Sequence, residues 1–256
     1  MPVLFVGHGN PMNAIEHNEF RANWTVLGNT LARPKAILCV SAHWETRDAY
    51  ATATDAPETI HDFYGFPRAL FEVRYPAPGE PALARRVAEL VASERVRLDP
   101  RRGLDHGAWS VLVAMYPEAD VPVVQLSMDT SRPGRHHYEL ARQLAPLRDE
   151  GVLVMGSGNI VHNLRQFDFR DPTPLAWASR CDAEIRAHVA AGRHDALMVY
   201  PTHDEGRLAV PTPEHYLPLL YAIALQQPGE RAEFFNARVQ GSISMTSVLI
   251  GGPAEA

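Results

Sequence analysis

Short, unbroken apolar runs alternate with longer segments of helical periodicity, and this alternation most constrains the fold. The runs at 2–6 (PVLFV) and 36–41 (AILCVS) read as buried strands. Between them, segment 16–31 spaces its apolar residues by four, three and four positions, which predicts a helix. A strand, a helix and a strand of these lengths form a βαβ unit, whose right-handed crossover makes the two strands parallel.

The same patterns continue along the chain and predict an α/β fold. The predicted strands are 2–6, 36–41, 49–54, 121–127, 152–156 and 242–250. The predicted helices are 16–31, 80–93, 109–116, 134–148, 175–191 and 214–226. Continuous apolar strands favour three layers, with helices on both faces of a mostly parallel central sheet. No helix follows 242–250, which favours an antiparallel edge strand. No linker divides the sequence, so we predict a single domain over 1–256.

Composition narrows the classes of partner. The 256 residues carry 24 Lys and Arg against 30 Asp and Glu, for a net charge of −6, so no nucleic-acid partner is predicted. The two cysteines lie in no CxxC motif, and the N-terminus lacks a basic region followed by a long apolar core. We therefore predict a cytoplasmic protein with no membrane association. The oligomeric state is left open.

Histidines stand out because several follow apolar runs. His8 comes after the first predicted strand and His43 after the second, and ligands collect at the carboxyl ends of parallel strands. If these strands are neighbours, both imidazoles share one crevice. The other candidates stand in loops or at a helix start: His61, His106, His162 and His215. At least four histidines are expected to converge, which indicates a metal site.

Alternative interpretations apply to single residues. A lone histidine after a strand is more often a hydrogen-bonded loop residue. This interpretation is weaker for His8 and His43 taken together, because both follow predicted parallel strands. The GSGNIV segment is an incomplete dinucleotide motif, and Ser157 does not fit the GxSxG pattern of a nucleophile. Four aromatic residues are equally compatible with a substrate wall and with the core: Trp44, Phe63, Tyr64 and Phe66.

Six sequence blocks, in their order along the chain, indicate a function. They are GHGNPM, SAHWE, IHDFYGFP, LDHGAW, GSGNIVHNLR and PTPEHYLPL. Together they resemble the class III extradiol ring-cleavage dioxygenases, in particular the 4,5-DOPA extradiol dioxygenase-like branch, over residues 3–251. The resemblance implies one catalytic domain that opens a catechol ring with O₂ to give a semialdehyde.

The resemblance also implies roles for individual residues. It places His8, His43 and His215 at the positions of metal ligands. His162 takes the place of the active-site histidine, which acts as acid/base or as a fourth ligand, and His106 lines the substrate pocket. An ordinary imidazole pKa near 6.5 suits proton transfer by His162. Better-known members use two histidines and a glutamate, so Glu214 competes with His215 for the third position, and we favour His215.

A histidine-rich ligand set affects the choice of metal. Fe(II) is expected for catalysis, because zinc is redox-inert. Zinc binds nitrogen ligands more tightly than Fe(II) does, so Zn(II) is expected in the protein as found.

Two other functions use the same histidines or the same fold. A zinc hydrolase would use a metal-bound hydroxide as nucleophile. A non-enzymatic, Memo-like binding protein would share the fold, and the retained histidine set speaks against it.

Overall fold

The apolar runs become the inner strands of an eight-stranded sheet. The computed structural model of the protein describes residues 1–252. The sheet strands are β1 (Val3–Gly7), β2 (Ala36–Glu45), β3 (Ala49–Thr52), β4 (Val96–Asp99), β5 (Val123–Met128), β6 (Val152–Gly158), β7 (Ala232–Phe235) and β10 (Ser247–Ile250). A separate ribbon pairs β8 (Val239–Gln240) with β9 (Ile243–Ser244).

The centre of the sheet is parallel. Across the sheet the order is β4-β3-β5-β2-β6-β1-β10-β7. Strands β5, β2, β6 and β1 run in one direction, whereas β3 is antiparallel to β5, and β10 is antiparallel to both β1 and β7. Every residue of β1 and β6 is buried, as expected for apolar strands covered on both faces. The predicted mostly parallel sheet is confirmed.

Helices cover both faces of this sheet. In chain order they are α1 (Glu19–Thr30), α2 (Arg68–Phe71), α3 (Pro81–Leu90), α4 (His106–Met115), α5 (Gly134–Arg142), α6 (Pro146–Asp149), α7 (Ala176–Ala190), α8 (His194–Val199), α9 (Asp204–Ala209) and α10 (Leu217–Ile223). One core cluster includes Trp24 of α1 and Trp109 of α4, while another takes side chains from α3, α5, α7 and α10. The three-layer prediction is therefore confirmed. Within residues 1–252, no helix has the length and apolar character needed to cross a membrane.

The sheet order answers one question that the sequence left open and corrects one prediction. Strands β1 and β2 are not neighbours, because β6 lies between them and pairs with both. Segment 242–250 does supply an antiparallel strand, but β10 lies one strand in from the edge, which β7 occupies. Strands β7 and β4 were not predicted. Both are short edge strands without a continuous buried apolar run, so the pattern that marks the inner strands is missing from them.

His137 in the first turns of α5 is a buried histidine outside the site, and it predicts acid sensitivity. Its Nε2 donates to the carbonyl oxygen of Asp129 at 3.1 Å, and the Tyr221 hydroxyl donates to Nδ1 at 3.0 Å. Burial, followed by the nearby His136 charge, lowers the pKa of His137 from 6.5 to about 4. The folded state therefore resists protonation, and the stability from neutral His137 is lost as pH falls from 6.5 towards 4.

We expect a His137→Gln variant, which cannot titrate, to lose less stability than the parent between pH 7 and pH 5. Urea unfolding at both pH values measures this difference. An identical loss of unfolding free energy in the two proteins would contradict the assignment. Because other histidines also titrate in this range, only the difference between the two proteins is diagnostic.

Candidate metal centre

Five histidines meet at the carboxyl edge of the parallel strands. The ring centroids of His8, His43 and His215 form a near-equilateral triangle, with separations of 5.0, 5.4 and 5.1 Å. The His106 ring lies beside that of His43, with centroids 3.9 Å apart and a tilt of 41°, and the centroid of His162 lies 3.6 Å from that of His215. All five are among the histidines predicted from the sequence. His61 was a further candidate, but its ring contacts the carbonyl oxygen of Val73 and lies outside the triangle.

His8 and His43 meet although their strands are not adjacent. His8 follows β1 directly, and its Nε2 lies 3.1 Å from Nε2 of His43. The intervening strand β6 ends in Ser157 and Gly158, and Oγ of Ser157 lies 3.0 Å from Nδ1 of His8. His43 also lies inside β2 rather than after it, because the pairing of β2 with β5 shifts register between Val40 and Glu45. Such an irregularity re-aims a side chain at the end of a strand.

His215 stands in a turn before α10, not in the helix as predicted. Its carbonyl oxygen accepts a hydrogen bond from the Asn159 backbone N–H at 2.8 Å, which ties this turn to the end of β6. A Cβ at Gly158 would collide with that carbonyl oxygen. Glycine at this position therefore lets the turn that carries His215 approach the sheet.

Hydrogen bonds define the tautomers of two histidines. Oγ of Ser157 donates to the carbonyl oxygen of Gly107 at 2.6 Å, so it accepts from Nδ1 of His8 at 3.0 Å. A carboxylate oxygen of Glu214 accepts from Nδ1 of His215 at 3.0 Å. With their protons on Nδ1, both rings keep a lone pair on Nε2. Partners of this kind orient histidines that bind metals.

The electrostatics of the cluster suit a cation. Burial, reinforced by the neighbouring histidines, lowers the pKa of His8 and His215 well below the usual range. Burial and the charge of His106 lower the pKa of His43 to about 4, although Asp105 and Asp62 oppose this shift. The three rings are therefore neutral at pH 7. One ligand atom from each falls within 4.8 Å of the others.

This donor set fits a divalent metal. The Nε2 atoms of His8 and His43 are 3.1 Å apart. Two nitrogens that share one ion at about 2.0–2.1 Å each come about 3–3.4 Å apart. The spacing of these two nitrogens and the grouping of His8, His43 and His215 therefore fit one divalent ion.

His162 and His106 flank the triangle. The ring of His162 lies nearly parallel to that of His215, with an angle of 11° between them. Its ligand atom groups with those of Glu214 and His215 and not with the first three histidines. Burial is the main cause that lowers the pKa of His162 from the ordinary value of 6.5 to about 4. His162 is a neutral proton acceptor at pH 7.

His106 is positioned by the start of α4. Its neighbour Asp105 caps the helix by accepting from the backbone N–H of Ala108 at 3.2 Å. The same carboxylate accepts from Ser41 at 2.6 Å and from Gln125 at 2.7 Å. Arg102 also donates to this carboxylate at 3.1 Å, so each oxygen has two partners, and the network locks the loop that presents His106 to the site.

Three polar neighbours of the histidines were not predicted from the sequence. Ser157 was rejected as a nucleophile, yet it is the hydrogen-bond partner of His8. Asp62 lies beside both His43 and His106, and Asp105 supports the loop. The block IHDFYGFP contained Asp62, but only the distance to two histidines from other segments reveals its role. Burial raises the pKa of Asp62, but contact with His106 and the charges of both histidines outweigh it and lower the pKa to about 2.

The four aromatic candidates separate into different environments. Trp44 is buried beneath the Arg102 guanidinium, whose carbon lies 5.3 Å from the ring centre, so it belongs to the protein interior. Tyr64 is 92% exposed. Phe63 lies 5.5 Å from His106 and 5.4 Å from Phe66, edge to face in both cases. Phe63 is therefore the candidate aromatic residue next to the histidine cluster.

The fold and site together define an α/β enzyme with a candidate metal centre at the carboxyl edge of its sheet. The family model described as the catalytic LigB subunit of aromatic ring-opening dioxygenase matches residues 12–245. The chain belongs to this family. The class III extradiol dioxygenase resemblance is thus confirmed, and the protein is a ring-cleaving dioxygenase of a metal-dependent family.

Curated relatives and a solved structure agree with this placement. The chain is 49% identical to a 4,5-DOPA dioxygenase extradiol from Escherichia coli, with 98% of this chain and 95% of the relative covered. It is 40% identical to the Beta vulgaris protein of the same name, with 94% and 92% covered. A crystal structure of an uncharacterized protein from Escherichia coli K12 superposes with a TM-score of 0.86 at 45% identity, covering 98% of this chain and 100% of the other.

Proposed function

We propose that this protein opens a catechol ring with O₂ at one Fe(II) held by His8, His43 and His215. The observation that carries the proposal is the convergence of three buried, neutral imidazoles. Two of these have Nε2 lone pairs set by hydrogen bonds to Ser157 and Glu214. Glu214 is then the hydrogen-bond partner of a ligand, and His215 takes the third ligand position.

The substrate class follows from the relatives. Those cited are named for 4,5-DOPA, so we propose a DOPA-like or other catechol as substrate. In extradiol cleavage, the ring C–C bond next to one hydroxyl-bearing carbon breaks, and both atoms of O₂ enter the ring-opened semialdehyde. No external reductant is consumed, because the catechol supplies the electrons. When bound, Fe(II) supplies the electronic link between catechol and O₂ that side chains lack.

We assign proton transfer to the histidines that flank the triangle. His162 is neutral and adjoins the proposed ligand His215, which suits it to accept a proton from a catechol hydroxyl and return it later. Should His162 bind the metal as a fourth ligand before substrate arrives, its ring must leave for this role. His106 lines the pocket with Phe63 and has its Nδ1 at Asp62, so its Nε2 is the nitrogen available to a substrate hydroxyl.

The metal in the isolated protein need not be the catalytic one. Neutral nitrogen ligands bind Zn(II) more tightly than Fe(II) by the Irving–Williams order. We therefore propose that aerobically prepared protein contains Zn(II) and that exchange to Fe(II) gives activity. A single catalytic domain over 1–256 remains a prediction, and its last four residues lie outside the described part of the chain. A cytoplasmic location, based on two unpaired cysteines, also remains a prediction.

The test is anaerobic loading of metal-free protein with Fe(II), followed by addition of O₂ and a panel of catechols. We expect O₂ uptake equal to catechol consumed and a yellow ring-opened product, with DOPA in the panel. The Zn(II) form and the metal-free form serve as controls. Ring cleavage by a verified iron-free Zn(II) form would exclude the proposed iron chemistry.

The same experiment separates the alternatives. A zinc hydrolase would consume no O₂, and a Memo-like binding protein would bind a catechol without turning it over. No comparison with known proteins supports either alternative.

A further inference from the structure

A single carboxylate contacts two histidines with different proposed roles. Oδ2 of Asp62 lies 3.6 Å from Nδ1 of His43, and Oδ1 lies 3.0 Å from Nδ1 of His106. The first distance is too long for a hydrogen bond, and the second contact is poorly aligned for one. Both nitrogens nevertheless face a negative charge, which favours an N–H over a lone pair at each of them.

The protein holds this carboxylate in place. Oδ1 of Asp62 also accepts from the backbone N–H of His106 at 3.0 Å. Two residues earlier, Ile60 donates its N–H to Leu104 at 2.8 Å and accepts from the Trp109 indole at 2.8 Å. The loop that carries Asp62 is therefore attached on both sides of His106, so the carboxylate and the two rings form one unit.

The location of these protons decides what the opposite nitrogens can do. A proton on Nδ1 of His43 leaves Nε2, which faces His8, free to bind a metal. In the other tautomer that nitrogen would carry the proton and could not be a ligand. A proton on Nδ1 of His106 likewise leaves its Nε2 as an acceptor. Among residues 1–252, Asp62 is the only acidic side chain within 4 Å of Nδ1 of His43, whereas His8 and His215 have Ser157 and Glu214 as partners.

We infer that Asp62 is a positioning residue that keeps the proton on Nδ1 of both His43 and His106. One carboxylate thus prepares a metal ligand and a pocket histidine together. This inference rests on the proposed function in one respect, namely that His43 binds the metal. It goes beyond that function because Asp62 neither binds the metal nor transfers a proton to substrate. It acts instead by setting the tautomer of His43 and of His106.

The test uses the full-length protein loaded with Zn(II). Zn(II) is diamagnetic, so affinity and NMR spectra can both be measured without catalytic turnover. Asp62→Asn keeps the size of the side chain, but its amide can donate to an imidazole nitrogen. We expect zinc affinity, measured by competition with a chromophoric chelator, to fall roughly 10- to 100-fold, as for other partners of metal-binding histidines. Two-bond ¹⁵N–¹H spectra are expected to show His106 moving from the Nδ1–H tautomer towards Nε2–H. His8 and His215 are expected to keep their tautomers.

Two further variants complete the design. Glu58→Gln removes an exposed carboxylate from the same loop and is expected to match the parent in both measurements. Asp62→Glu keeps the charge on a longer arm and is expected to retain zinc better than Asp62→Asn. The reverse order would indicate a packing effect at position 62 and overturn the inference.

Other outcomes are equally decisive. The inference is wrong if Asp62→Asn binds zinc as tightly as Glu58→Gln, or if His106 keeps its tautomer. A parent protein that binds no zinc would contradict the proposed function instead. In that case the tautomer of His106 would still test whether Asp62 holds the proton on Nδ1 of that residue.

Discussion

A His215→Ala variant is expected to lose its metal ion, whereas the parent chain retains it through the same purification. His215 is one corner of the imidazole triangle, and its removal leaves two nitrogens where the proposed site needs three. It also leaves the Glu214 carboxylate without the Nδ1–H that it binds at 3.0 Å. The loss of affinity is expected to exceed the roughly 10- to 100-fold typical of losing a partner of a ligand.

Metal stoichiometry after dialysis, with the dissociation constant for Zn(II), measures this effect. His8→Ala and His43→Ala are expected to behave in the same way. His17→Ala is the matched control, because His17 is exposed and lies away from the cluster. Thermal unfolding of each variant separates loss of metal from loss of fold. If all three cluster variants bind one equivalent as tightly as the parent does, the metal site is elsewhere.

Removing the imidazole of His162 is expected to give the opposite pattern, with Fe(II) kept and turnover nearly lost. Loss of a positioned acid/base typically costs roughly 10²- to 10⁴-fold in rate. His162 stacks on His215 with centroids 3.6 Å apart, so an alanine would also leave a gap beside a proposed ligand. His162→Phe fills that gap with a flat ring that carries no nitrogen, and both variants are expected to be slow.

The decisive measurement is iron content and single-turnover rate on the same sample. Near-parent iron content with a slow rate in both variants supports proton transfer by His162. A normal rate per bound iron, together with lost iron, would show instead that His162 serves only as a ligand. A slow His162→Ala but a normal His162→Phe would assign the effect to packing against His215.

Much of the architecture was predictable because it depends on local patterns. Continuous apolar runs identify strands buried on both faces, and β1, β2, β5 and β6 are such strands. Strand β7 was missed because its residues are half-buried or exposed at the sheet edge. The position of β6 between β1 and β2 was also missed, since strand order depends on which surfaces pack together and not on the local pattern.

The histidines of the site were predictable for a related reason. His8 and His43 stand at strand ends, and the ends of parallel strands meet at one edge of a sheet. His215 was found through the resemblance of its block, PTPEHYLPL, but its turn before α10 was not. That turn is set by the bond from Asn159 and by close packing on Gly158, which are contacts between segments more than 50 residues apart.

The sequence by itself determined the α/β class, the family and the five histidines. Apolar periodicity and sequence motifs depend only on residues that are close together along the chain. Only the tertiary structure decided which nitrogen of His8 and of His215 stays free, and that Ser157 and Asp62 belong to the site. Those properties depend on distances of about 3 Å between side chains from separate segments. Such distances arise when burial and hydrogen bonding are satisfied together across the whole fold, and no local pattern contains them.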